Sequence, residues 1–301
     1  MNTASGESRP GRLRWAYAAM AFNLVAWGLS WVNVRAIVHE VGAGDLGALR
    51  YLIASAAMLV VWLFRGRPLP ALCDVPRVAL LGLFGFTLYN LGINFGERTV
   101  DAGTGSMLIS CVPILVVLFG VVVSGEKVAA LAWAGIAVSL VGVGLTSGVF
   151  AKGLSFNQGT ALIFGSAVCA SIQTLLSRSL TKRYAPIDVT TWAIFFGMLG
   201  LLPFAHDPVG VAARLTPHAW THLLFLGLVP AALCYTIWAW VLQELPLATV
   251  MSSVYVIPLF SVLFGWAILG ERPAAAALTG GLLTLAGVAI VQWVGRRSAD
   301  G

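Results

Sequence analysis

Two stretches decide the fold: Ser106–Glu126, SMLISCVPILVVLFGVVVSGE, and Met251–Glu271, MSSVYVIPLFSVLFGWAILGE. A shift of 145 residues lays one on the other without a gap. Pro113 falls on Pro258, Val117-Leu118-Phe119-Gly120 on Val262-Leu263-Phe264-Gly265, and Gly125-Glu126-Lys127 on Gly270-Glu271-Arg272. Working outward, Gly135, Gly142 and Val143 fall on Gly280, Gly287 and Val288, and Leu81-Gly82-Leu83 on Leu226-Gly227-Leu228. Nearer the start a shift of 143 pairs Arg35 with Arg178 and Asp45 with Asp188.

The repeated unit is apolar nearly throughout. The 301 residues are 59% hydrophobic and only 10% charged, against about 25% charged in soluble proteins. So little charge cannot cover a surface facing water, but lipid accommodates Leu and Val well. Apolar runs lie at about 15–37, 45–64, 77–97, 101–124, 128–149, 157–181, 187–205, 217–243, 247–269 and 274–294. Each has the ~20 residues that a membrane helix needs and is too long, without alternation, for a membrane strand. The fold expected is all-α and integral to the membrane, with ten transmembrane helices in two five-helix repeats. Residues 1–14 form an N-terminal tail, 15–150 the first repeat, 156–294 the second and 295–301 a C-terminal tail. Five is odd, so the second repeat enters the membrane upside down. Inverted repeats are a recurring build of secondary transporters, because two near-equal halves can exchange conformations around one central site.

Charge sets orientation. The net charge of +6 sits in short clusters between apolar runs, which argues against a nucleic-acid face. With both termini in the cytoplasm, Arg9, Arg12, Arg14, Arg65, Arg67, Arg77, Lys127, Arg178, Lys182, Arg183, Arg296 and Arg297 lie inside. Arg35, Arg50, Arg98, Lys152, Arg214 and Arg272 lie outside, so 12 against 6 favours that orientation. The run from Trp15 is too long for a signal peptide and reads as an uncleaved first span. Cys73, Cys111, Cys169 and Cys234 have no metal or redox spacing, and the last three read as packing residues.

Individual residues suggest roles. Pro113 and Pro258 fall inside apolar runs and read as hinges or kinks. Glu126, Glu271, Asp45 and Asp188 read as caps of the helices that follow them. Gly135, Ser139 and Gly142, with Gly280, Thr284 and Gly287, offer small faces on which the fifth and tenth helices pack closely. A solute site is expected near the midplane among Trp27, Ser30, Tyr89, Asn90, Asn94, Ser110, Gln173, Tyr235, Trp238, Ser252 and Tyr255. Their amides in particular should face protein or a watery cavity, since a polar group facing lipid is costly. Asp45, Glu97, Asp101, Asp188 and Glu244 all fall near the ends of runs, leaving a site that reads as neutral, aromatic and hydrogen-bonding.

At Trp27-Gly28, the two Pro-to-Gly-Glu segments, the run Gly135–Gly144 and Leu180-Thr181-Lys182-Arg183-Tyr184 before Asp188, the chain resembles the drug/metabolite transporter superfamily and its ten-helix EamA-type members. The resemblance implies a basket of two inverted repeats, a central cavity, and export of amino acids or other metabolites across bacterial inner membranes. Its motifs report scaffold rather than cargo. Uptake of a vitamin or similar metabolite and broad drug efflux are alternatives within transport. A membrane-embedded enzyme is a distant one, because His39, His206, His218 and His222 lie in loops or at run ends and no intramembrane acidic pair is present. A small solute and membrane lipid are the expected partners, no nucleic acid, cofactor or metal is implied, and the internal repeat is compatible with a monomer.

Overall fold

The computed structural model describes residues 10–124, 130–146, 157–245, 250 and 253–299. Among the described residues the chain is a stack of helices with no strand. Six helical runs are long and apolar enough to cross a membrane, and four shorter apolar helices complete ten. The first span is α1 (Pro10–Val41), the second α2 (Ala43–Phe64). The third comprises α3 (Val75–Gly82), a π-helical turn Leu83–Leu88, and α4 (Tyr89–Gly96). The fourth comprises α5 (Ala102–Ile109) and α6 (Val112–Ser124), and the fifth is α7 (Ala130–Thr146). The second repeat follows with α8 (Gln158–Leu180), α9 (Pro186–Leu201), a short α10 (Pro208–Arg214), and α11 (Pro217–Leu226). A π-helical turn Gly227–Leu233 joins α11 to α12 (Cys234–Glu244); α13 (Ile257–Leu269) and α14 (Ala275–Ala299) close the chain.

The packing obeys the repeat. Span 1 packs on spans 8 and 9, and its counterpart, span 6, packs on spans 3 and 4. Span 2 packs on span 7, and α7 on α14. The α7–α14 seam brings two backbones together. A Cβ on Gly142 would stand 2.5 Å from the Gly280 carbonyl oxygen, and one on Gly280 would stand 2.5 Å from Thr146 N. At the centre, Ser139 Oγ donates to the Thr284 carbonyl (3.3 Å) and Thr284 Oγ1 to the Ser139 carbonyl (3.5 Å). Small residues let the backbones meet, as the sequence indicates.

Pro113 and Pro258 occupy the first turns of α6 and α13, each after an interruption in its span. A first-turn proline lacks an N–H that the helix does not use there, and in each span a tightened turn precedes it, at Ser110-Cys111 before α6 and at Val254–Val256 before α13. At the far end of α13, Gly270 closes the helix at φ +67°, with Glu271 N–H reaching the Gly265 carbonyl (3.1 Å). A side chain at that left-handed position costs about 1–2 kcal/mol, hence glycine before Glu271. The matching turn at Gly125-Glu126-Lys127 lies outside the described residues.

The acidic caps are also reassigned. Asp45 does not cap α2; its Oδ1 accepts from His206 N (2.9 Å) and Asp207 N (3.1 Å), tying α2 to the segment before α10. Asp188 does not cap α9 but pairs with Arg65 at 2.7 Å, and that hydrogen bond holds the guanidinium above its ordinary pKa. Glu271 caps α5, not the helix after it, by accepting from Ala102 N (3.3 Å). A carboxylate reaches whichever free N–H groups the tertiary fold places beside it, and sequence distance does not reveal that. Asp207 does cap its own helix: its Oδ1 accepts from Gly210 N (2.9 Å), and this bond, with Arg214, lowers its pKa.

On the face that carries the N-terminus, buried Asp74 accepts from Arg183 (2.7 Å), Arg77 (3.2 Å) and the Tyr184 hydroxyl (2.8 Å). Asp74→Ala is expected to lower stability by about 1–2 kcal/mol. The three donors lie toward water and are resolvated once the carboxylate is gone. A detergent melting curve checks this, and an unchanged midpoint would show that the cluster contributes nothing.

Candidate functional site

Proline chemistry starts the site. Pro230, in the π-helical turn of span 8, has no N–H to offer the carbonyl of Leu226 four residues earlier. The π-helical turn reaches five residues on rather than four, and Arg50 adds a second donor to that carbonyl, Nε to oxygen at 3.2 Å. Its Nη1 reaches Asn90 Oδ1 at 3.3 Å. The Asn90 amide is fixed by two further bonds, from Nδ2 to the Tyr51 hydroxyl (2.9 Å) and to the Phe86 carbonyl (2.8 Å). Arg50 is only 7% exposed, and among the described residues no carboxylate lies within ion-pair distance of it.

Aromatic rings adjoin this buried cation. Trp27 of α1 meets Trp238 edge-on at 4.9 Å between centroids and Tyr235 at 5.8 Å. Phe86 bridges Tyr235 (5.2 Å) and Tyr51 (5.6 Å). Trp27 Nε1 donates to the Pro230 carbonyl at 3.3 Å, and Asn23, one turn earlier, donates to the Cys234 carbonyl at 3.0 Å. Both π-helical turns therefore face the same cluster. They are also equivalent in the repeat, since Leu83 and Leu88 shifted by 145 fall on Leu228 and Leu233. π-helical turns are rare and concentrate at functional sites.

The sequence-selected residues divide into groups. Trp27, Asn90, Tyr235 and Trp238 are brought together. Ser30 is buried about one turn further along α1, and the stem of Gln173 packs on Gly85 inside the first π-helical turn. Tyr89 packs on the cluster around Trp31, and its carbonyl accepts from Ser166 (2.9 Å). Asn94 stands apart, holding the start of α2 through the Ala43 carbonyl (3.1 Å). Ser110 bonds back to the Ser106 carbonyl (3.1 Å) at the interruption of span 4. Tyr255 packs beside Ile114, Ile136, Val288 and Val291, away from the rings. Ser252 lies outside the described residues.

Two features escape the sequence reading. Charge counting places Arg50 with the loop charges, and the site therefore reads as neutral. With α2 beginning at Ala43, Arg50 stands two turns inside the helix and is buried. The sequence puts Glu97 at a span end; it is fully buried, with neither carboxylate oxygen hydrogen-bonded among the described residues. The signal for Arg50 is an arginine with apolar residues on both sides in a run long enough to start earlier. The doubled Leu-Gly-Leu, at 81–83 and 226–228, marks where each π-helical turn begins.

Comparison with known proteins adds a second line of argument. The model of the EamA-like transporter family matches residues 14–148 and again 157–293. The chain is 29% identical over 95% of its length to a protein of Streptantibioticus cattleyicolor named a probable terminal-alkyne amino-acid exporter, covering 97% of it. It is also 29% identical to the uncharacterized transporter YdfC of Bacillus subtilis, over 87% of this chain and 86% of that one. A solved structure aligns with a TM-score of 0.59 at 20% identity, covering 94% of this chain and 99% of its own, and speaks to fold alone.

Proposed function

Because the chain belongs to the EamA-like transporter family, we propose that this transporter works by alternating access and exports a small carboxylate-bearing metabolite, an amino acid being the leading class. The observation that carries the reading is Arg50. A buried charge without a counter-charge is costly, and in membrane proteins it marks a solute or ion path. Two of its N–H groups go to neutral acceptors, Leu226 O and Asn90 Oδ1, of the five that a guanidinium has. A solute carboxylate supplies the missing charge. The rings of Trp27, Phe86, Tyr235 and Trp238 suit an apolar or aromatic side chain on the same solute.

Alternating access rests on the inverted repeat and on the tightened turns before Pro113 and Pro258, which fall at equivalent places in it. Export is favoured by the name of the Streptantibioticus relative. The excess of Lys and Arg on the terminal face argues for both termini in the cytoplasm of an inner membrane. Broad efflux of cationic drugs fits less well, since Arg50 repels a cation and among the described residues no carboxylate is within ion-pair distance of it.

A thermal-shift screen of purified protein in detergent tests the reading, with amino acids, vitamins, nucleosides and cationic drugs as ligands. A ligand at 100 times its Kd stabilises by about 2.7 kcal/mol. Carboxylate-bearing amino acids are expected to shift the melting point, while their amides do not. A shift confined to cationic drugs would overturn the assignment. Trp27→Ala and Tyr235→Ala are each expected to weaken the successful ligand by about 10- to 100-fold, the ~1.5–3 kcal/mol of one buried apolar side chain. Unchanged affinity in both would move the site elsewhere.

A further inference from the structure

On the face opposite the N-terminus, the helices are tied together by charged groups that leave one carboxyl out. Glu97 ends α4; its N–H goes to the Ile93 carbonyl (2.8 Å) and its side chain is 0% exposed. The charged groups around it direct their hydrogen bonds elsewhere. Arg35 of α1 binds Glu271 through Nε at 2.8 Å, donates through Nη1 to the main-chain carbonyl of Glu97, and stands 3.5 Å from His39. The second oxygen of Glu271 accepts from Ala102 N. Asp101 is committed to Thr104 N (2.8 Å), Arg50 to Leu226 and Asn90, and Asp45 to His206 and Asp207. Arg98, next in sequence, is exposed. The nearby pocket of about 180 Å³, lined by Val38, Phe95, Arg98 and His206 among others, does not reach Glu97.

A carboxylate with neither oxygen hydrogen-bonded and no access to water is costly to hold as an anion, and such a group is held neutral instead. We propose that Glu97 is a proton-binding site whose occupancy is tied to closure of this end of the transporter. Closing buries Glu97 and takes up one proton from solvent to form the neutral acid. Opening lets water in, the proton leaves to that water, and the carboxylate pairs with Arg35 once Arg35 has released Glu271. The chain then carries a coupling between external pH and conformation that requires no solute. This rests on the alternating-access reading, which it deepens by naming the proton as the ion that biases the two states.

Two measurements on the full-length protein test it, and neither measures transport. Infrared spectra taken across a pH titration are expected to show a carboxylic-acid C=O band persisting at neutral pH in the wild type and absent from Glu97→Gln. Spin labels at Arg98 and Arg272, on a background with the four cysteines replaced, report the width of this end. Raising the pH is expected to lengthen that distance in the wild type and in Glu97→Asp, and to leave Glu97→Gln closed at every pH. No acid band in the wild type at neutral pH would overturn the proposal, and that spectrum needs no variant to fold. So would a Glu97→Gln protein that opens with pH as the wild type does. Solute flux from vesicles, measured separately, decides the transporter reading whichever way these results fall.

Discussion

Arg50→Ala is expected to abolish export of a carboxylate solute, with a loss of about 30-fold to several thousand-fold. That range corresponds to the ~2–5 kcal/mol lost when one partner of a buried hydrogen-bonded charge pair is removed. Arg50→Lys separates charge from geometry. One ammonium cannot reproduce the planar fork that spans the Leu226 carbonyl and Asn90 Oδ1. A drop of about 10- to 100-fold is expected, equivalent to ~1.5–3 kcal/mol for one charged hydrogen bond. The measurement is efflux from proteoliposomes loaded with the best amino acid from the screen and, in parallel, with its amide. The wild type should prefer the acid and Arg50→Ala should lose the preference. If Arg50→Ala discriminates as the wild type does, Arg50 serves only to tie α2 to the Leu226 carbonyl and Asn90, and the solute binds elsewhere.

Gly142→Leu is expected to prevent assembly of the folded protein. The neighbours that a side chain would strike are the Gly280 carbonyl and the backbone and hydroxyl of Thr284, not the tip of a flexible residue. Overpacking ordinarily costs about 1–3 kcal/mol where side chains can shift; here two backbones must separate, and the Ser139–Thr284 hydrogen bonds break with them. A monodisperse peak in size-exclusion chromatography should collapse into aggregate, and Gly142→Ala should show a lowered melting point. Leu140, on the same helix but exposed, is the control, and Leu140→Ala should leave both measurements unchanged. A Gly142→Leu protein with wild-type elution and melting would mean that the seam is looser than these distances show.

The parts of the fold that can be read in the sequence are those carried by many residues at once. Ten apolar runs and a repeat in register from Ser106 and Met251 leave little choice of architecture, and Gly135, Ser139 and Gly142 declare their packing through a period that side-chain size makes visible. The site is legible where bulky aromatics sit deep in a run, as at Trp27, Tyr235 and Trp238. It is hidden where a single backbone event decides. The tightened turn before Pro113 and the π-helical turn around Pro230 are local changes of hydrogen-bond register, and neither disturbs the hydropathy of its run. Asp45, Asp188 and Glu271 mislead for another reason. Their partners His206, Arg65 and Arg35 lie 161, 123 and 236 residues away in the chain. Arg50 is lost because the charge count takes it as an outside charge although it lies inside the run 45–64, so a buried guanidinium is read as a loop charge.

The α7–α14 seam has one more property. Gly135 meets Gly287 and Gly142 meets Gly280, and a shift of 145 residues turns the first contact into the second. Ser139 and Thr284, which exchange hydrogen bonds, map onto each other. The seam is thus isologous, like the interface of a two-fold dimer, with its axis passing between those two hydroxyls. When two inverted halves trade conformations, a contact lying on the axis is carried onto itself, whereas every contact away from the axis is carried onto a different one. In the proposed alternating-access cycle the Ser139–Thr284 contact can therefore stay unchanged while the two glycine contacts trade places around it, which would make the seam a fixed pivot for the rest of each repeat.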